Sequence, residues 1–346
     1  MQCLRIGELA RSGAAAKRKH MTMISRLVVC TLLAALSLGA GAQSARKVPR
    51  IGYLAAVSAT ADAPRLAAFR QGLRELGYVE GQTIQVEYRH ESADLQRLPE
   101  HAAELVRMNI DLLVAVTSNA AVAAKKTTST VPIVFMGVTD PIATGLAESL
   151  ARPGGNITGI TNVAAVLAGK RLELLKEVLP KLTRVAVLWD PKAPGSTPQW
   201  EASREPADKL GLQLHSMQVG DADEYVAAFK AAVKARSHAV WVTLNPVANS
   251  NQKLIAELAI EHGLPSICAR SDYADNGCLM AYGPGYQTEG SDGARYVDRV
   301  LRGARPADLP IEQPTKFELV INLKTATRMG LTVPQSVLDR ADRLVR

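Results

Sequence analysis

The stretch Leu112-Leu113-Val114-Ala115-Val116-Thr117-Ser118-Asn119-Ala120-Ala121-Val122-Ala123-Ala124 decides the fold. Five apolar residues without polar alternation read as a strand buried on both faces, the habit of a parallel sheet. A hydroxyl and amide turn follows, and an alanine-rich run then supplies a helix. A strand that turns straight into a helix is half of a β-α unit. The same phrase returns roughly 130 residues later, a period too long for a solenoid. There Ala239 to Leu244 is followed by Asn245-Pro246 and another Ala-containing helix.

Working outward, the first copy begins with a strand at Ile51 to Val57. A helix follows at Pro64 to Gly77, with Leu66, Phe69, Leu73 and Leu76 on one face and Gly77 as its stop. Thr83 to Tyr88 reads as a strand, Leu95 to Met108 as a helix and Ile133 to Val138 as a strand. In the second copy Val185 to Trp189 repeats the first strand, and Leu210-Gly211 ends a helix as Leu76-Gly77 does. Pro265 leads into Ser266 to Ala269 as Pro132 leads into Ile133 to Phe135. The expected architecture is therefore α/β, two similar lobes of parallel strands with a cleft between them. The border falls at the Pro153-Gly154-Gly155 turn and the short strand Ile157 to Asn162. The chain crosses back after Gly283-Pro284-Gly285, and a connector at 305–314 leads into a strand at Phe317 to Asn322. The N-terminal lobe is expected to comprise residues 43–161 plus about 286–316. The C-terminal lobe takes 162–285 plus about 317–346.

The chain has 346 residues, 47% of them hydrophobic, which is more than one compact core usually holds. Its formal charge of +8 is front-loaded. Residues 1–42 carry Arg5, Arg11, Lys17, Arg18, Lys19 and Arg26 against Glu8, and without them the balance is nearly neutral. A nucleic-acid partner therefore has no basis. The same front reads as a secretory signal: a basic stretch at Lys17-Arg18-Lys19, an apolar run from Leu27 to Leu38, and the small-residue site Ala40-Gly41-Ala42. Met21 or Met23 would give a more usual start, so residues 1–20 read as an over-long beginning. Cys30 lies inside the apolar run and is no lipid anchor. The expected location is the periplasm, with cleavage near Ala42. Cys268 and Cys278 remain after cleavage; their spacing permits a short-loop disulfide, the alternative being two buried thiols.

In parallel α/β sheets, ligands gather beyond the C-terminal strand ends, where helix N-termini offer free N–H groups. The residues at those ends are Ser58 after Val57; Thr117, Ser118 and Asn119 after Val116; Thr139 and Asp140 after Val138; and Asn162. In the second copy they are Asp190 after Trp189, Asn245 after Leu244, Asp272 after Arg270-Ser271, and Tyr282 at the end of the last strand. Each is also an ordinary cap or turn residue. Together, a hydroxyl and amide cluster with carboxylates and an aromatic describe a zwitterion site. Trp189 either stacks on a ligand or fills the core. No phosphate loop, nucleophile elbow or zinc helix is present, and the histidines are scattered. The expectation is a binding protein without catalytic residues, metal or cofactor.

Four further stretches carry a resemblance. They are Gln71-Gly72-Leu73-Arg74-Glu75-Leu76-Gly77-Tyr78-Val79-Glu80-Gly81, Val138-Thr139-Asp140-Pro141 with Leu150-Ala151-Arg152-Pro153-Gly154-Gly155-Asn156-Ile157-Thr158-Gly159, Gly169-Lys170-Arg171-Leu172-Glu173-Leu174-Leu175, and Asn322-Leu323-Lys324-Thr325-Ala326. The chain from Arg50 to Arg346 resembles the ABC-transporter substrate-binding family that includes periplasmic tryptophan- and tyrosine-binding proteins. The resemblance implies a type I periplasmic-binding-protein fold: two Rossmann-like lobes joined by a hinge of three crossings. It also implies a monomer that captures a small amino-acid-like ligand and delivers it to an ABC permease in the inner membrane. A sensor feeding a membrane receptor is the alternative. By position Thr117, Ser118 and Asn119 would hold a carboxylate, Asp140 would sit beside the cleft, and Asp272 is the other candidate for an amine. Asn119 stands where the family often has proline, and Trp189-Asp190 replaces a smaller pair, so the family's aromatic ligand does not carry over with the motifs.

Overall fold

The computed structural model describes residues 47–346, with Tyr286 and Gln287 as backbone only. The leader read in residues 1–42 and its cleavage point lie outside the described residues. A first sheet contains β1 (Arg50–Ala55), β2 (Gln85–His90), β3 (Leu112–Val116), β4 (Ile133–Val138) and β5 (Ile157–Thr161). Its order is β2-β1-β3-β4-β5, and every pairing is parallel. Every residue of β3 and β4 is buried, as central strands covered on both faces require. Helices α1 (Ala59–Glu75), α2 (Leu98–Arg107) and α3 (Thr117–Thr127) flank this sheet. Leu113, Ala115 and Phe135 pack toward Ala102 and Leu105 of α2 and Ala120 and Ala124 of α3. On the other face Tyr53, Val114 and Met136 meet Phe69 and Leu73 of α1.

The second sheet begins with β6 (Arg184–Trp189), β7 (Gln213–Gln218), β8 (Ala239–Val242) and β9 (Ser266–Cys268). It is completed by β10 (Met280–Gly283), β11 (Glu318–Asn322) and β12 (Arg343–Val345), in the order β12-β11-β10-β9-β8-β6-β7. The segment β7-β6-β8-β9 repeats the order β2-β1-β3-β4, so the internal repeat seen in sequence is a repeat of topology. Only the β10–β11 pairing is antiparallel. Around it lie α4 (Ala168–Val178), α5 (Ser196–Lys209), α6 (Glu224–Lys234), α7 (Pro246–Ser250), α8 (Gln252–Glu261) and α9 (Ser271–Asp275). Trp189 belongs to this core: it stacks on Trp200 at 5.5 Å and donates to the Ser216 hydroxyl.

Three segments pass between the two sheets: the one after β5, the one after β10, and residues 312–317 entering β11. The second delivers α10 (Tyr286–Leu301) back against α1 of the first sheet. The two helices lie backbone against backbone. A Cβ on Gly72 would stand 2.8 Å from Ala294 Cβ, and one on Gly290 would strike the Arg65 carbonyl at 2.5 Å. Arg171 of α4 ties two of the crossings together. Its guanidinium donates to the carbonyl of Ala164 at 2.7 Å and to that of Tyr282 at 2.9 Å. It is fully buried without a carboxylate partner, and burial lowers its affinity for the proton.

The predicted face of α1 is rotated in the structure. Phe69 and Leu73 are buried as expected, but their companions are Asp62, Arg65 and Gly72, while Leu66 and Leu76 are half-buried. Two charged residues thus occupy the stripe that periodicity alone assigns to leucines. Cys268 and Cys278 form a disulfide with Cα atoms 6.8 Å apart. Among the described residues no helix is long and apolar enough to cross a membrane.

Candidate functional site

The C-terminal ends of β3 and β4 face those of β6 and β8 across a cleft with about 370 Å³ of empty space, part of it open to solvent. Of the eleven residues predicted from strand ends, Thr117, Ser118, Asn119, Thr139, Asn162 and Asn245 line it. The chemistry divides these six. Thr139 donates its hydroxyl to Asn162 Oδ1, and Asn162 donates to the Gly137 carbonyl, so both are committed to joining the ends of β4 and β5. Asn245 Oδ1 caps α7 by accepting from the Ala248 amide.

Thr117, Ser118 and Asn119 keep capacity to spare. The α3 N-terminus has no side-chain cap. Ser118 Oγ accepts from the Thr139 amide at 3.1 Å, leaving its proton uncommitted. Thr117 Oγ1 is buried without any hydrogen-bond partner. Its backbone sits at φ +79°, a left-handed conformation that a β-branched residue adopts only at a cost of about 1–3 kcal/mol. Open helix amides, a positive helix end and an orphaned hydroxyl thus meet at one corner of the cleft, the kind of donor set that suits an anion.

The other five predicted residues do not line this cavity. Ser58 caps α1 by accepting from Ala61 N at 3.2 Å. Asp140 accepts from the Ala143 amide and closes its own turn. Asp190 accepts from the Lys192 amide, and burial raises its carboxyl above the usual range. Tyr282 tilts against Phe317 and offers its carbonyl to Arg171. Asp272 is gripped by Arg270 of the wall through two bonds of 2.6 and 3.0 Å. Burial pushes the Asp272 carboxyl up, but the Arg270 charge and its hydrogen bonds, with one from Gln252, hold it below the usual range.

The strand-end rule misses several lining residues that sit one or two turns inside helices. Arg65 of α1 and Glu289 of α10 are buried and joined, Nε to Oε2, at 3.0 Å. Arg65 Nη1 also donates to Asp62 at 2.8 Å, and Asp62 further accepts from Tyr53 Oη at 2.8 Å and meets His90 Nε2 at 3.2 Å. Burial pushes the Asp62 carboxyl up, yet the His90 bond, the Arg65 charge and the Tyr53 hydroxyl bring it below the usual range. On the opposite wall Asn249 Oδ1 accepts from Tyr273 Oη at 2.8 Å, leaving its amide nitrogen for the cleft. The legible signal for Arg65 was its place on the apolar stripe of α1, three residues after Asp62 and four before Phe69. Glu289 offered no comparable signal.

The two walls touch. A Cβ placed on Gly195, which precedes α5, would stand 2.7 Å from Ser118 Oγ and 3.2 Å from Thr139 Oγ1. Among the described residues no cluster of His, Cys, Asp or Glu is arranged to hold a metal ion.

Comparison with known proteins bears on this arrangement. The family model for ABC transporter substrate binding proteins matches residues 50–345. A tyrosine-binding protein of Clostridioides difficile (strain R20291) is 25% identical over 263 residues, 76% of this chain and 75% of that one. Among solved structures, a conserved domain protein from Vibrio cholerae O1 biovar eltor str. N16961 aligns with a TM-score of 0.83 at 26% identity, covering 86% of this chain and 100% of that one. An ABC domain from Streptococcus pneumonia in complex with L-Trp aligns with a TM-score of 0.81 at 26% identity, covering 86% and 99%. The chain belongs to the ABC transporter substrate-binding protein family, a family of type I two-lobed binding proteins and not of enzymes.

Proposed function

We propose that this protein is the periplasmic solute-binding component of an ABC importer and that it captures an amino-acid-like ligand by closing its cleft. The observation that carries the reading is the uncapped N-terminus of α3 with the partnerless Thr117 hydroxyl beside it. A buried polar atom without a partner costs about 1–3 kcal/mol, and a ligand carboxylate removes that cost. The L-Trp complex and the tyrosine-binding relative support an amino-acid-like solute. The signal-like residues 17–42 support export, and the permease partner follows from the family. In this reading residues 43–161 with about 286–316 move against residues 162–285 with about 317–346. The close approach of Gly195 to Ser118 supports a cleft that can shut. The ligand shifts an open–closed equilibrium because only the closed form lets it touch both walls.

Native mass spectrometry of the protein isolated from periplasm tests this. The expected spectrum contains an adduct with the mass of an amino acid or close derivative. Adducts of another chemical class, a sugar for example, would overturn the reading.

A further inference from the structure

Resting on the amino-acid reading above, we infer that Glu289 is the residue that recognises the ligand's ammonium group, in place of the strand-end aspartates. Asp140 is spent on its own turn and Asp272 on Arg270. Glu289, by contrast, is a buried carboxylate in the wall of the cleft itself.

The charge balance points the same way. Arg65 is shared between two carboxylates, Asp62 and Glu289, each within 3.0 Å. Arg270 and Asp272 cancel one another across the cleft. The Glu289 carboxylate therefore has only a share of one guanidinium, because Arg65 also serves Asp62, which in turn meets His90 Nε2 at 3.2 Å. A buried charge that is only partly paired is costly, and a ligand cation supplies the rest. Arg65 also holds the Glu289 carboxylate in place, so little ordering remains to be done on binding. The cleft is then bipolar: the α3 N-terminus faces the carboxylate, and Glu289 faces the ammonium.

The test compares amino acids with their α-hydroxy-acid counterparts, which keep the carboxylate and side chain but lack the amine. Four pairs serve: L-tryptophan and indolelactate, L-tyrosine and hydroxyphenyllactate, L-leucine and leucate, L-serine and glycerate. Wild-type protein is expected to prefer the amine-bearing member of whichever pair binds by about a hundredfold or more. Glu289→Gln keeps an oxygen for Arg65, so the fold is retained, with circular dichroism and thermal melting as the check. This variant is expected to lose about tenfold or more for the amino acid while binding the hydroxy acid as before, so that discrimination collapses. Equal weakening of both members, or undiminished discrimination, would overturn the assignment while leaving the amino-acid reading intact. Failure of wild-type protein to bind any of the amino acids would overturn both.

Discussion

Arg65 and Glu289 stand 224 residues apart in sequence and form a buried ion pair, Nε to Oε2, at 3.0 Å. The pair joins the first helix of the first sheet to the helix that returns from the second. Removing one partner strands a buried charge, which typically costs 3–5 kcal/mol. Arg65→Ala is therefore expected to lower stability by about 3 kcal/mol or more in urea unfolding, since it takes the guanidinium from Glu289 and leaves Asp62 with only Tyr53 and His90. A change within about 0.5 kcal/mol would mean that the pair is solvated in solution.

Asp62 and Asp272 each hold their carboxyl below the ordinary value, so the folded state binds protons less readily than the unfolded chain. Their stabilisation is present above the unfolded value of about 3.9 and is lost as pH falls through the lower folded values. Melting temperature should hold steady in mildly acid buffer and drop below about pH 4. Asp62→Asn should lower stability at neutral pH and flatten that acid limb. An equally steep limb in the variant would remove Asp62 as its source.

Gly195→Ala introduces a methyl group 2.7 Å from Ser118 Oγ when the walls meet. The Gly195 backbone, at φ −82°, accepts alanine without strain. Overpacking of this kind costs about 1–3 kcal/mol, here only in the closed form. Affinity for the solute should fall about tenfold or more, the unliganded protein should melt as wild type does, and small-angle scattering should show a wider molecule. Unchanged affinity would mean that closure does not bring Gly195 onto Ser118.

The Cys268–Cys278 disulfide closes a short loop around α9, which begins just after Arg270 of the cleft wall. Loop-closure entropy gives a bond of this span about 3 kcal/mol. Reduction, or the Cys268→Ala/Cys278→Ala double variant, should lower the melting temperature by several degrees. A melt indifferent to reducing agent would contradict the pairing.

Much of the fold was legible because burial on both faces leaves long apolar strands, and because the plan repeats. Leu112 to Val116 and Ala239 to Leu244 announced their strands and the helices after them. The cleft lining was legible where it depends on strand ends, as Thr117 to Asn119 show. Asp140 and Asp272 show where that rule stops, since a carboxylate at a strand end is as readily consumed by its own turn or by a neighbouring arginine. Arg65 and Glu289 were missed for a different reason. They lie inside helices, and only the packing of α10 on α1, through Gly72 and Gly290, brings them to one wall. The disulfide was undecided in sequence because spacing alone does not fix the approach of two strands.

In the proposed site the α3 N-terminus and Thr117 hold the carboxylate of an amino-acid-like solute. Calorimetric titration of ligand-stripped protein with the free proteinogenic L-amino acids, run beside Thr117→Val, tests it most directly. Valine keeps the shape and removes only the hydroxyl that has no partner in the protein. Wild type is expected to bind at least one amino acid saturably, and Thr117→Val to bind it about tenfold more weakly with no loss of stability. Absence of binding by any amino acid, or equal affinity in the two proteins, would contradict it.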